Sequence, residues 1–271
     1  GHEIADAVDR AGYPLRLLRA VEATDAGRRY EATTMTDERL DVVVLDRDLE
    51  GAGLAVSLYR SLRLRDTVGL GTSMRGRLER TALVSWAVQA AGVNTPALLA
   101  VVHLGPDAAA LVYRHVPGKR FRSITPTVGD AELAGAWAIL RDLQRASIAH
   151  RAVSADNFTL ATDGKVYLHD VQSGTVAASD VSLRIDVAEA LCTLALISDP
   201  HRAIEAGRIV LGEAVLARSL PALQPFALSF ETRRALRGHR DLISSLRSEL
   251  VSLLPAGQTE GVEIERIKPR A

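Results

Sequence analysis

An α+β chain in two parts, a smaller β-rich N-terminal part and a larger, mainly helical C-terminal part, is the fold class this sequence predicts. Strand-like runs of β-branched and apolar residues cluster before residue 115, with one long helical pattern among them. After residue 115 the patterns are helical apart from a short hairpin around an Asp-Gly turn. The 271 residues, 47% of them hydrophobic, suit two linked subdomains better than one core.

Taken in order, Tyr13 to Ala23 and Arg28 to Thr34 are expected strands, joined by Glu22-Ala23-Thr24-Asp25-Ala26-Gly27. Leu40-Asp41-Val42-Val43-Val44-Leu45 has strong strand character. The stretch Leu54 to Leu64 reads as an amphipathic helix carrying Arg60 and Arg63, with Arg65 beside it. Gly69-Leu70-Gly71 reads as a connector. A helix follows from Arg75 to Ala91, ending at Gly92, a residue able to take the left-handed conformation of a helix stop. Two further strands, Ala97 to His103 and Ala108 to His115, flank Gly105-Pro106-Asp107. Trp137, at helical spacing from Leu133 and Leu140, is an expected core residue. Asn157 to Ala161 and Lys165 to His169 form the expected hairpin, Asp180 to Ile197 is an apolar, buried helix, and Glu231 to Leu254 is a helical run broken by Pro255. Gly1-His2, lacking an initiator Met, is read as a remnant outside the fold.

The chemistry-bearing stretch is His150-Arg151-Ala152-Val153-Ser154-Ala155-Asp156-Asn157. It has the frame H-R-D-x-x-x-x-N, followed thirteen residues after Asn157 by Asp170 at a strand end and then by Asp186 in a buried helix. This pattern resembles the protein-kinase-like superfamily. The resemblance implies a bilobal fold: a β-rich N-lobe over 3–115 with a regulatory helix (residues 75–91), a mainly helical C-lobe over 116–254, and Val116-Pro117-Gly118-Lys119 as the hinge exit. It also implies that Asn157 and Asp170 are ligands for Mg or Mn, and that Asp186 braces the loop backbone.

The same resemblance shows what is missing. A kinase loop uses an Asp to accept the substrate hydroxyl proton, and Ala152 stands in its place. Val43 occupies the expected position of the phosphate-pairing Lys; the only lysines are Lys119, Lys165 and Lys268. Glu79 is the candidate for the Glu that would pair with that Lys, with a solvated helix-surface charge as the plainer reading. The turn over residues 22–27 has one Gly where a Gly-rich loop would approach phosphates, and Asp170-Val171-Gln172 keeps only the acid of D-F-G. The expectation is a catalytically inactive pseudokinase, not an enzyme, binding ATP or ADP with Mg or Mn weakly at most. The alternative is an active atypical small-molecule phosphotransferase using Asp156 as a displaced base and an Arg in place of the Lys. A pure interaction scaffold is a third possibility. Arg184 is a candidate partner for Asp170, and His150 and His169 read as structural.

A narrower resemblance rests on Val42 to Asp48, Leu58 to Asp66, Glu79 to Pro96 and the tail Ile264 to Arg270. These stretches resemble bacterial membrane proteins in which a cytosolic kinase-like domain precedes a flippase-like, lysylphosphatidylglycerol-synthase-type transmembrane domain. It implies that residues 255–271 form a polar lead-in to a membrane segment outside this chain, Arg266, Lys268 and Arg270 standing on the cytoplasmic side. The expected location is the inner face of the cell membrane, with a protein partner or the chain's own transmembrane domain as partner, and contact with an anionic membrane surface through the Arg60 to Arg65 stretch. Thirty-three basic and 33 acidic residues cancel, which argues against nucleic acid as the main ligand. Cys192 is the only cysteine, excluding an internal disulfide and reading as a buried hydrophobe, and the seven histidines show no zinc spacing.

Overall fold

The protein is described from a computed structural model, which places residues 1–21, 28–46, 74–105, 108–125, 127–239 and 241–252. The expected turn at 22–27, the Leu54 to Leu64 helix, the Gly69-Leu70-Gly71 connector and the 255–271 tail lie outside these residues. The chain is α+β, and its described residues divide into two compact units, one from those within 1–86 and 96–116, the other from those within 87–95 and 117–252.

The first unit is a five-stranded antiparallel sheet in the order β1-β2-β3-β5-β4, from β1 (Leu15–Ala20), β2 (Arg28–Thr34), β3 (Arg39–Asp46), β4 (Leu98–Gly105) and β5 (Ala108–Arg114). Alternation along its central strands supplies two apolar faces. Leu40, Val42, Val44, Ala110 and Val112 cluster with Ile4, Ala7 and Val8 of helix α1 (His2–Arg10). Val43, Leu45, Ala109, Leu111 and Tyr113 cluster with Leu78 and Ala82 of helix α2 (Met74–Ala90). Helix α1 was not anticipated, and setting Gly1-His2 aside is corrected: His2 is its first residue and Gly1 its cap. Buried residues at 4, 7 and 8 carry the helical spacing that could have revealed it. At the end of α2, Gly92 has φ +74° and donates its N–H to Gln89, as expected of a helix stop.

In the second unit, β6 (Gly118–Arg120) pairs with β7 (Phe158–Ala161), which pairs with β8 (Val166–Leu168). The expected hinge exit is therefore partly strand. Gly118 is required there, because a Cβ would overlap the carbonyl oxygen of Leu160 and approach Ala161 Cα to 2.7 Å. A short helix α3 (Phe121–Ile124) leads towards α4 (Asp130–Arg145), whose Trp137 is fully buried and donates its indole N–H to Ala203 O at 3.0 Å. Helix α5 (Asp180–Ile197) is buried almost all round from Asp186 onwards, as a central helix must be. Around it pack α4, α6 (Pro200–Leu211), α7 (Glu213–Ser219), α8 (Phe230–Ala235) and α9 (Leu242–Ser252). The single helical run expected over 231–254 is corrected to two helices, separated where Gly238 takes φ +96°, a backbone state that an α-helix excludes.

Candidate functional site

The loop of residues 150–157 is held from below by α5. Asp186 accepts the backbone N–H groups of His150 and Arg151, the latter at 2.8 Å. Glu189, one turn on, accepts the N–H of Val153 at 3.0 Å and that of Ser229, and Thr193 donates to Val153 O at 3.1 Å. Residues 186, 189 and 193 share a helix face, so three polar side chains of an otherwise apolar helix meet the loop. This clamp explains how Arg151 keeps φ +69°, a conformation costing a non-glycine residue about 1 kcal/mol. Burial, and then the neighbouring Glu189, push the Asp186 carboxyl up to about 7; the N–H groups of Arg151 and His150 oppose that shift.

His150 is buried and structural. Its Nε2 donates to His169 O at 2.9 Å, and burial pulls its pKa down, favouring the neutral imidazole. The N–H of His169 in turn donates to Asn157 O at 2.8 Å, tying the hairpin to the loop. His169 is itself buried. Ala152, the expected base position, is half-buried and presents a methyl group.

Asn157 and Asp170 are brought together. Asn157 Nδ2 donates to Asp170 Oδ2 at 3.4 Å, while Asn157 Oδ1 accepts from both Ser154 N (2.9 Å) and Ser154 Oγ (2.6 Å). Asp170 has φ +60°, left-handed backbone that Asp tolerates better than most residues. A carboxylate and an amide oxygen are hard donors suited to Mg or Mn, so the residue types fit such an ion. Among the described residues no group of three or more His, Cys, Asp or Glu gathers as a metal site. The expected Arg184–Asp170 contact is corrected: Arg184 pairs with Asp180 within its own helix, four residues away.

Asp156 points to a different partner. Arg122 Nε lies 2.6 and 2.7 Å from its two carboxylate oxygens, and Arg120 donates to its backbone carbonyl at 2.6 Å. Both side chains of the Arg122–Asp156 pair are more than half exposed.

In the first unit, Val43 is 5% exposed within the cluster containing Leu78 and Ala82, whereas Glu79 is exposed. Arg29 is directly opposite Val43 in the β2–β3 register, so the two side chains share a sheet face. Burial lowers the Arg29 pKa, with Asp41 and Tyr113 partly compensating. Cys192 is buried and its thiol is pushed up to about 12, chiefly by burial, so it is inert.

Glu189, Ser154 and Arg122 were not anticipated. Glu189 had a readable signal, an acid three residues after Asp186 inside an apolar helix, because such an acid needs donors. Ser154 and Arg122 had none, since a loop Ser and a surface Arg are ordinary. Among the described residues no helix is long and apolar enough to cross a membrane. No protein-family model matches the chain, and no curated protein matches it.

Proposed function

We propose that the chain is a catalytically inactive, kinase-like regulatory or partner-docking module, the cytoplasmic part of a bacterial membrane protein. One observation carries the reading. A loop with the kinase frame is braced by two buried carboxylates that accept three of its backbone N–H groups, yet presents Ala152 where a proton acceptor is needed. The framework is kept and the base is gone. Val43 supports it from the first unit, because an isopropyl group inside an apolar cluster offers nothing to a phosphate. Asn157 and Asp170 would hold Mg or Mn, which when bound would neutralise nucleotide phosphate charge; with neither Lys nor base, binding is weak and not followed by transfer. The likeness of the small-lobe stretches to such membrane proteins supports reading the module as one that precedes a flippase-like membrane domain at the inner face of the membrane.

The second reading, an atypical phosphotransferase, draws support from Arg29, a cation on the same face as Val43. It is weakened by Asp156, whose carboxylate faces Arg122. The test is incubation of the purified chain with Mg or Mn, labelled ATP and generic or lipid acceptors. No transfer above background is expected, and nucleotide at millimolar concentration should give a small, metal-dependent rise in melting temperature. Turnover lost in Asp170→Ala would replace this reading with the second one. No thermal shift with any nucleotide or metal would leave a pure scaffold.

A further inference from the structure

Asn157 is the residue through which a cation would be gained or lost, and its oxygen is already engaged. An amide oxygen has two lone pairs, and the N–H and O–H of Ser154 converge on Asn157 Oδ1 at 2.9 and 2.6 Å. The backbone N–H also sets the amide's orientation, because a reversed amide would turn its own donors against it. The opposite edge then presents Nδ2 to Asp170 Oδ2, at 3.4 Å. An amide N–H thus faces the carboxylate on the side where a cation would face it.

We propose that Ser154 is a latch on the Asn157–Asp170 pair, its hydroxyl competing with a divalent cation for Asn157 Oδ1 and so setting how weakly the pair binds metal. This rests on the reading that Asn157 and Asp170 are the metal-holding residues. Removing the hydroxyl leaves a single N–H bond holding Oδ1 on the side away from Asp170, so the amide turns its oxygen towards a cation at Asp170 at lower cost and metal affinity rises. A residue that merely shaped the loop would lower affinity when truncated.

The experiment is Mn(II) titration of the full chain followed by the loss of the free-ion electron paramagnetic resonance signal. Wild type is compared with Ser154→Ala, Ser154→Thr and Asp170→Ala, with circular dichroism confirming the fold. Ser154→Ala should bind about three- to tenfold tighter, the size expected from one released hydrogen bond. Ser154→Thr, which keeps the hydroxyl, should match wild type, and Asp170→Ala should lose binding. If Ser154→Ala does not fold, Ser154→Cys, with a weak S–H donor, should shift affinity in the same direction. Equal or weaker binding by the relaxed variants, with Asp170→Ala still silent, overturns the latch and leaves the metal pair standing. Binding that survives Asp170→Ala, or is absent from every variant, overturns both.

Discussion

Two buried carboxylates do different work from the acids at the loop's open side. Asp186 and Glu189 each accept two backbone N–H groups, so removing either leaves donors without acceptors inside the protein. Glu189→Ala strands the N–H groups of Val153 and Ser229 and should cost about 3 kcal/mol, read as a reduced denaturation midpoint at unchanged slope. Glu189→Gln keeps one acceptor and should cost less. A loss under about 1 kcal/mol for the alanine variant would mean that the loop does not depend on this brace. Ala152 needs no such argument, because a methyl group accepts no proton in any environment. Asn157 shows the opposite case: its identity allows a metal ligand, and its neighbour Ser154 decides which of its atoms is available.

At the scale of elements, the strands and helices that carry the candidate residues were legible because each has a local period. Helix α5 was read over the bounds it adopts, and β2 likewise, since a mostly apolar helical run or a short strand bounded by turn residues declares itself within one segment. Helix α1 shows what goes unread when a terminus is set aside. It covers one face of the sheet, with Val8 fully buried against the strands. Val8→Ala should therefore destabilise by about 2 kcal/mol in chemical denaturation, whereas truncation of Ile209, an exposed residue of α6, should be nearly neutral. The strand β6 was missed for a different reason. Three residues have no period, and only the close approach of Gly118 to Leu160 and Ala161 gives its pairing away.

The whole molecule's response to pH sets two buried groups against each other. Asp186 has its pKa raised to about 7 from 3.8, so the folded state binds a proton that the unfolded state releases between those values; this contribution falls as pH rises through that window. His150 has its pKa lowered, so the unfolded state binds the extra proton below about 6.5 and this contribution falls as pH drops. The two slopes oppose below about pH 6.5, down to the lowered pKa of His150. Asp186→Asn removes one of them, and its stability should fall more steeply than that of wild type as pH is lowered from 7 to 5, measured by urea denaturation at each pH. Parallel curves for the two proteins would show that Asp186 does not titrate in this range.

What the sequence determined by itself is the inventory: the elements with a clear local period, and the side-chain identities at Ala152 and Val43. Those follow from local periodicity and from side-chain identity, and no packing can add a carboxylate or an ammonium to them. Only the tertiary structure decided what the remaining polar groups do. Asp186 and Glu189 meet backbone groups 35 to 40 residues away, Arg184 turns to Asp180 and not to Asp170, and Ser154 closes on Asn157. Each of those outcomes is a choice among several chemically acceptable partners, and the chain settles it by which segments it folds against one another.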